Sequence, residues 1–435
     1  DSRSRWFLSL FSLVAYVLTK VSVTIYAGGI VVSELLAIPF WYGAIGIVIF
    51  TGIYTVIGGM KAVIYTETLQ TVVLILGSVI ITYLGLQEVG GWSELRATVT
   101  AVSPDHFNMW RPMSDPQFPW TGLLIGGTIV GIWYWCTDQY IVQRTLAANN
   151  IKIGRRGAIF GAYLKLLPIL IFLVPGIIAF ALSIQNPEVF SVDKADRAFP
   201  MLVKTLLPVG LKGLVAGGLM AALMSSLASV FNSCSTIFTI DIYKKLKPEK
   251  SEASLLVTAK IATGFIVILG IIWIPIMEKI GGGVMYQYLQ NVQSYIAPPV
   301  TAVFLLGIIW KRVNSKAAIT TLISGFLLLA LRLGSEIYFQ PQIAKNEVVS
   351  HVLYDFAIIN FSHMAIFMFV FSVILCVTIS LLTTAPDYKT IVGLSFGTLT
   401  EDQKQAHRDS YDLIDVLLSV VLVFLVVGIL CYFTR

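Results

Sequence analysis

Charged side chains are scarce in this sequence. Asp, Glu, Lys and Arg make up 12% of the 435 residues, whereas 57% are hydrophobic, and the mean hydropathy is +0.82. A soluble globular domain carries roughly a quarter of its residues as charges. The composition therefore excludes a soluble globular protein and predicts that lipid surrounds most of the chain.

Other features that the sequence lacks exclude further classes of protein. It has no phosphate-binding P-loop, which disfavours an ATP-driven pump. It has no nucleophile–base constellation or metal-ligand cluster, which disfavours an enzyme. Its cysteines have neither the spacing of a metal site nor that of a disulfide framework, so we expect four buried free thiols: Cys136, Cys234, Cys376 and Cys431.

Long apolar runs are what the chain has in abundance. Their length, about 20 residues or more, favours membrane-spanning helices over the alternating ten-residue strands of an outer-membrane barrel. We predict an all-α polytopic membrane protein in which residues 1–435 form a single transmembrane domain. About eleven spans are expected, near 6–37, 40–60, 63–87, 119–147, 157–183, 205–243, 254–276, 284–310, 317–335, 361–384 and 413–433.

The net charge of +6 is explained by the loops between these spans. If eleven spans alternate across the membrane, every basic cluster falls on one side, which the positive-inside rule makes cytoplasmic. Nucleic acid is therefore not an expected partner. The clusters are Arg3/Arg5, Lys61, Arg144 to Arg156, Lys244 to Lys250, Lys311 to Lys316 and Lys389 to Arg408.

Several spans carry residues that favour an interruption of the helix. Broken helices expose backbone groups, which are tolerated at membrane depth only inside protein or beside a cavity, and they often mark a transporter binding site. A kink that neighbouring helices repair is the alternative. The candidates are Gly126 to Gly131 with Cys136 to Gln139, Ser225 to Ser229, and Gly281 to Gly283 with Pro298-Pro299.

Motifs along most of the chain resemble the solute:sodium symporter family, and within it the sodium/glucose cotransporters. The matching segments, in order, are Gly58-Gly59 with Tyr65 to Gln70, Trp133 to Arg144, Tyr163 to Pro168, Met224 to Leu227 with Phe231 to Tyr243, and Tyr288 to Gln290 with Pro298-Pro299 and Trp310 to Arg312.

The resemblance implies a leucine-transporter-type fold, in which two inverted five-helix repeats enclose a central site. It assigns 1–88 to the remainder of the first repeat, 119–310 to the second repeat, and 317–435 to extra C-terminal helices. Because the chain starts at Asp1 with fewer spans than the family shows, we expect the first helices, with part of both sites, to be missing. Symport of sodium and a neutral sugar, glucose-like or galactose-like, is the implied function, in the plasma membrane.

The resemblance assigns substrate-binding roles to residues whose chemistry suits a sugar. Lys165 can donate to hydroxyls, and a lysine at membrane depth is costly unless it has a role. Gln290 both donates and accepts. Tyr134 and Trp135 offer aromatic faces to a pyranose, and the family places this tyrosine at the inner gate. Tyr286 stands at the outer gate, where relatives usually carry Phe.

A sodium ion needs oxygen ligands. By the resemblance, the carbonyl of Ala222 and the hydroxyls of Ser225 and Ser226 supply them, although serines also permit close helix packing. Glu67 corresponds to an acidic residue on the sodium exit path, where relatives commonly carry Asp; a solvated carboxylate at a helix start is the alternative.

Lys20, Glu34 and Asp138 are further charges that fall within predicted spans, and each requires a partner unless it lies near an interface. Two functional alternatives stay open: transport of myo-inositol or another small polar solute, and a membrane module that only senses a solute. An anionic substrate is disfavoured because it calls for an arginine clamp, and Lys165 is the one cation among the candidate site residues.

Overall fold

The computed structural model describes residues 2–191, 193–280, 284–345 and 347–434, without the side chains of residues 54, 56–67, 279 and 280. Over these residues the chain is α-helical and contains no strand, which confirms the predicted all-α class. The α-helices are α1 Ser2–Tyr16, α2 Ser22–Leu36, α3 Phe40–Val89, α4 Trp92–Val102, α5 Gly127–Cys136, α6 Gln139–Leu146, α7 Ile151–Leu164, α8 Val174–Gln185, α9 Ala198–Leu206, α10 Val209–Thr236, α11 Lys244–Leu246, α12 Glu252–Ile280, α13 Met285–Ile309, α14 Ser315–Ala344, α15 Val352–Ile358, α16 Phe361–Leu382, α17 Tyr388–Ile391, α18 Glu401–Arg408 and α19 Leu413–Tyr432.

Short π-helical segments lie inside four of the spans, at Val17–Val21, Gly122–Gly126, Ile169–Leu173 and Ile237–Tyr243. A π turn inserts a residue and so changes which face the following side chains occupy, and such turns are frequent at functional sites. The first of them contains Lys20, the second precedes α5, which carries Tyr134, and the third follows the turn that carries Lys165.

Nine helical stretches of the described chain are long and apolar enough to cross a membrane. Together with two shorter apolar helices, they account for the eleven expected spans. The nine are Ser2–Leu36, Thr68–Val89, Ile151–Gln185, Val209–Leu246, Glu252–Glu278, Met285–Ile309, Ser315–Ala344, Phe361–Leu382 and Leu413–Tyr432, and the shorter two are Phe40–Ile53 and Gly122–Cys136.

The expected spans 40–60 and 63–87 follow each other without a non-helical residue between them. Both belong to the single helix Phe40–Val89 of 50 residues. No proline occurs in this stretch, and a glycine pair costs roughly 2 kcal/mol without removing any backbone hydrogen bond. The cluster around Gly58 therefore does not end the helix.

Three expected interruptions are corrected. Gly131 lies inside the continuous α5, Ser225 to Ser229 lie inside the continuous α10, and Pro298-Pro299 lie inside the continuous α13. The fourth span does break, at Thr137 and Asp138 between α5 and α6. The expected break at Gly281 to Gly283 lies outside the described residues.

Small residues bring the helices into contact. In lipid, apolar side chains gain little from leaving their solvent, so helices associate through close packing. Gly325 of α14 lies against the ring of Pro299 in α13, and Gly126 lies against the backbone of Ser362 at the start of α16. A Cβ at either glycine would overlap its neighbour. These contacts fix α13, α14 and α16 around the space beside α5.

Candidate functional site

A cavity of about 390 Å³ lies between α5, the turn after α7 and α13. All five residues predicted to bind substrate line it, although they come from three spans that are far apart in the chain. They are Tyr134, Trp135, Lys165, Tyr286 and Gln290. Phe361 and Ser362, at the start of α16, also line the cavity.

Tyr134 and Trp135 occupy the last turn of α5. Their rings are 5.5 Å apart between centroids and meet at 82°, so they present faces in two directions. The helix ends after Cys136 because the carboxylate of Asp138 caps the next helix by accepting from the Tyr140 N–H. Gly131, which also lines the cavity, has no heavy atom near the position of a Cβ and leaves room about one turn above Tyr134.

Lys165 follows the last residue of α7 and stands at a break in the fifth span. Pro168, three residues on, cannot donate to the preceding turn, and the chain resumes as π-helix at Ile169. The Lys165 ammonium is 5.9 Å from the centroid of the Trp135 ring, within the range of a weak cation–π contact. Pro168 is the sequence signal for this break, which was not among the expected interruptions.

Gln290 and Tyr286 lie one turn apart on α13. The Gln290 carboxamide Nε2 donates to the Tyr286 hydroxyl over 2.8 Å. This bond leaves the Gln290 carbonyl oxygen and the tyrosine O–H for a ligand. Gln293 and Ser294 line the same cavity and were missed, although their spacing of three and four residues from Gln290 places them on its helix face.

Below Tyr134, the buried Lys20 and Asp138 form an ion pair. The Asp138 carboxylate also accepts from the Tyr16 hydroxyl at 2.6 Å. The Lys20 ammonium lies 4.2 Å from the ring centroid of Tyr140 and 5.4 Å from that of Tyr134. The expectation of partners for Lys20 and Asp138 is therefore confirmed, as it is for Glu34, which pairs with Arg197 at 3.2 Å.

A second cavity of about 190 Å³ lies on the other side of this pair. Its lining includes Tyr16, Trp133 and Asp138, together with Arg5 and Asp241, which form an ion pair with each other. Tyr134 lines the first cavity, whereas its neighbour Trp133 lines the second. The last turn of α5 thus lies between the two cavities, and Asp138 lines the second.

The predicted sodium ligands lie on α10, apart from the candidate substrate cavity. Ser225 is buried with 2% exposure, and Ser226 and Ala222 are half-buried in the same helix. None of the three belongs to the lining of that cavity. The side chain of Glu67 lies outside the described residues. Of the four cysteines, Cys234 and Cys376 are buried as expected, whereas Cys136 and Cys431 are exposed, because they face away from the bundle near helix ends.

The chain is similar in sequence to known sodium-coupled transporters. The profile of the sodium:solute symporter family matches residues 1–325. The chain is 36% identical to a sodium/mannose cotransporter of Bos taurus over 92% of this chain and 71% of that protein. It is 36% identical to sodium/glucose cotransporter 4 of Mus musculus over 89% of this chain and 60% of that protein. It is 36% identical to sodium/myo-inositol cotransporter 2 of Mus musculus over 93% of this chain and 63% of that protein.

Proposed function

Since the chain belongs to the sodium:solute symporter family, a family of transporters and not of enzymes, we propose that the protein couples the inward movement of sodium to that of a neutral sugar or polyol. The chain spans 60 to 71% of the lengths of the three relatives named above. The observation that carries the proposal is the convergence of five separately identified residues on one cavity.

The chemistry of the cavity favours a neutral, hydroxyl-rich solute. Among the described residues that line the cavity, Lys165 is the one charged side chain, and none of them is an arginine that could clamp a carboxylate. Gln290 and Gln293 each offer a donor and an acceptor, as a hydroxyl ligand requires. Tyr134 and Trp135 supply apolar faces for the C–H side of a ring.

Sodium is proposed to bind at the carbonyl of Ala222 and the hydroxyls of Ser225 and Ser226. Oxygen donors of this kind suit a hard cation. Their separation from the substrate cavity favours coupling through the position of α10 over direct contact between ion and solute. Glu67 is proposed to attract sodium on its exit path.

The identity of the solute and the cellular membrane in which the protein acts are also proposals. The relatives are named for mannose, glucose and myo-inositol. Among these, we propose a glucose-like or galactose-like sugar as the first candidate and myo-inositol as the second. The site of action is proposed to be the plasma membrane, with residues 119–310 as a second structural repeat and 1–88 as the remainder of the first.

Uptake by the full-length protein in proteoliposomes tests the function. An inward sodium gradient should accumulate one neutral member of a panel containing glucose, galactose, mannose and myo-inositol, and replacing sodium by choline should abolish uptake. Accumulation of none of them would reject the proposal, and binding without accumulation would favour a sensing module.

Substitutions test the assignment of the residues. Gln290→Ala and Lys165→Ala should each lower solute affinity about fivefold or more, since each leaves a hydroxyl of the bound solute without its hydrogen-bond partner. Thr128→Ala on the exposed face of α5 serves as the control. Ser226→Ala should raise the sodium concentration for half-maximal uptake, whereas Ser235→Ala on the same helix should not. An unchanged sodium dependence in Ser226→Ala would reject that ligand.

A further inference from the structure

A third cavity, of about 400 Å³, lies against the face of α13 that adjoins the one facing the candidate substrate site. Gln287, Asn291 and Tyr295, spaced four residues apart, present one face of the helix to it. The other walls come from α14, through Arg332, Glu336 and Gln340, and from the segment that ends at Phe361. Phe361 lines both this cavity and the candidate substrate cavity.

The charged residues of this cavity are deeply buried and incompletely paired. Arg332 and Glu336 are 2% and 8% exposed. The Arg332 Nε donates to Glu336 Oε1 at 2.8 Å, its Nη2 donates to the Ile359 carbonyl at 2.8 Å, and the Tyr295 hydroxyl donates to Glu336 Oε1 at 2.6 Å. Arg332 Nη1 and Glu336 Oε2 have no hydrogen-bond partner among the described residues.

Three half-buried carboxamides around the same cavity add to this unused capacity. The side-chain carboxamides of Gln287, Asn291 and Gln340 make no hydrogen bond to any part of the chain that the structure describes, although each can donate and accept. A fully buried polar group without a partner costs about 1–3 kcal/mol. A wall that concentrates five residues with unused polar atoms is suited to a ligand rich in hydroxyls.

The charge balance selects the kind of ligand. Arg332 and Glu336 neutralise each other, so the cavity attracts neither anions nor cations strongly. A hydroxyl can accept from an arginine N–H and donate to a carboxylate oxygen, which a carboxylate or an ammonium cannot do together. Arg332 Nη1 and Glu336 Oε2 are covered by their neighbours in the described structure, so a ligand engages them by turning these side chains toward the cavity. The ring of Phe361 offers an apolar face beside these groups.

We propose that this cavity, which we call the α13–α14 cavity, is a second binding site for a neutral polyhydroxylated solute of the same class as the transported one. The inference rests on the proposed function for the identity of the solute. The shared residue Phe361 and the shared helix α13 place the second site next to the first, on the side where α13 begins.

Protection of a cysteine reporter tests the second site directly. The full-length protein carries Cys136→Ser and Cys431→Ser, which remove the exposed thiols, while Cys234 and Cys376 are buried and stay in place. Ile343→Cys provides a reporter that lines the cavity without belonging to its polar groups. Val348→Cys, at 92% exposure and outside the lining, is the matched control. The reagent is a membrane-impermeant maleimide, and the ligands are D-glucose and myo-inositol in sodium-free buffer.

One of the two solutes should slow labelling at Ile343→Cys about fivefold or more and leave Val348→Cys unchanged. The protection should persist with Gln290→Ala in the first site. With Asn291→Leu or Gln340→Leu, the solute concentration required should rise about fivefold, as for one lost hydrogen bond. Equal labelling rates with and without either solute would show that the cavity holds water only and would overturn the proposal.

The outcomes separate this inference from the proposed function. Protection that disappears with Gln290→Ala would reflect a movement caused by the first site and would also overturn the second site. Sodium-driven uptake without protection would reject the second site alone. Protection without uptake would reject symport and keep the site.

Discussion

At the scale of single residues, the Lys20–Asp138 pair shows how two opposite charges are accommodated inside the helix bundle beside α5. Both residues are buried, at 8% and 3% exposure. Tyr16 donates to Asp138, and four aromatic rings surround the Lys20 ammonium within 6 Å, those of Tyr16, Trp133, Tyr134 and Tyr140. The pair therefore holds the break after α5 in position beneath Tyr134.

Removing one member of this pair should be far more damaging than removing both. Lys20→Met or Asp138→Asn alone should reduce the free energy of unfolding by about 3–5 kcal/mol, because each leaves a buried charge without its partner. The double variant should recover a large part of that loss. Denaturant unfolding of the four proteins in detergent gives the coupling energy, and strictly additive losses would show that the two side chains do not interact.

The candidate site residues differ in how far the sequence predicts them. Lys165 and Gln290 stand out in the sequence because polar groups are rare in apolar spans, whereas Tyr134 is a candidate only through the family resemblance. The partner of Lys20 cannot be identified from the sequence, because Asp138 is 118 residues away in the chain. Arg332 and Glu336 were missed for the same reason, since helix packing is what brings them next to Tyr295 of α13.

At the scale of secondary structure, the positions of the spans were predictable, but of the expected interruptions within the described residues only the one at Cys136 to Gln139 occurs. Apolar length determines where a helix can cross a membrane. Whether glycine or proline breaks a helix depends on the neighbours that satisfy its backbone. Pro298 and Pro299 stay within α13, where both are buried and Gly325 leaves room for the Pro299 ring. The break at Asp138, by contrast, is stabilised by Tyr16, which is distant in sequence.

The contact between α13 and α14 should therefore depend on the absence of a side chain at position 325. Gly325→Ala places a methyl group on the Pro299 ring, which cannot move away without shifting α13. We expect a loss of about 1–3 kcal/mol, as for an overpacked core. Gly334→Ala on the same helix meets no atom within 4 Å and should be neutral or slightly stabilising. Unfolding midpoints in detergent compare the two variants, and equal midpoints would contradict this account.

At the scale of the whole molecule, contacts between distant segments agree with one orientation of the chain. Each joins segments that the alternation of spans assigns to the same side. On the basic side, Arg5 pairs with Asp241, and Arg156 pairs with Asp412 at 2.7 Å. On the other side, Asn360 donates to the Gln117 carbonyl at 3.0 Å. Tertiary packing and the positive-inside rule thus indicate the same topology.

The longest helix, Phe40–Val89, allows this topology to be tested directly. A helix of 50 residues is about 75 Å long, far more than the roughly 30 Å of a bilayer core. Segments at both of its ends contact the same region of the chain. Glu34, shortly before the helix, pairs with Arg197 at 3.2 Å, and the Val89 carbonyl accepts from Gln185 at 3.4 Å.

We therefore expect Ile38 and Glu94, which flank this helix, to face the same, outer side. In the background that carries Cys136→Ser and Cys431→Ser, Ile38→Cys and Glu94→Cys should both react with an impermeant maleimide on intact cells. Lys250→Cys, in a basic loop, should react only after permeabilisation. Labelling of Ile38→Cys and Glu94→Cys from opposite sides would mean that residues 40–89 cross the membrane an odd number of times. In that case the alternation of eleven spans would fail, because every later basic cluster would lie on the side opposite to Arg3 and Arg5.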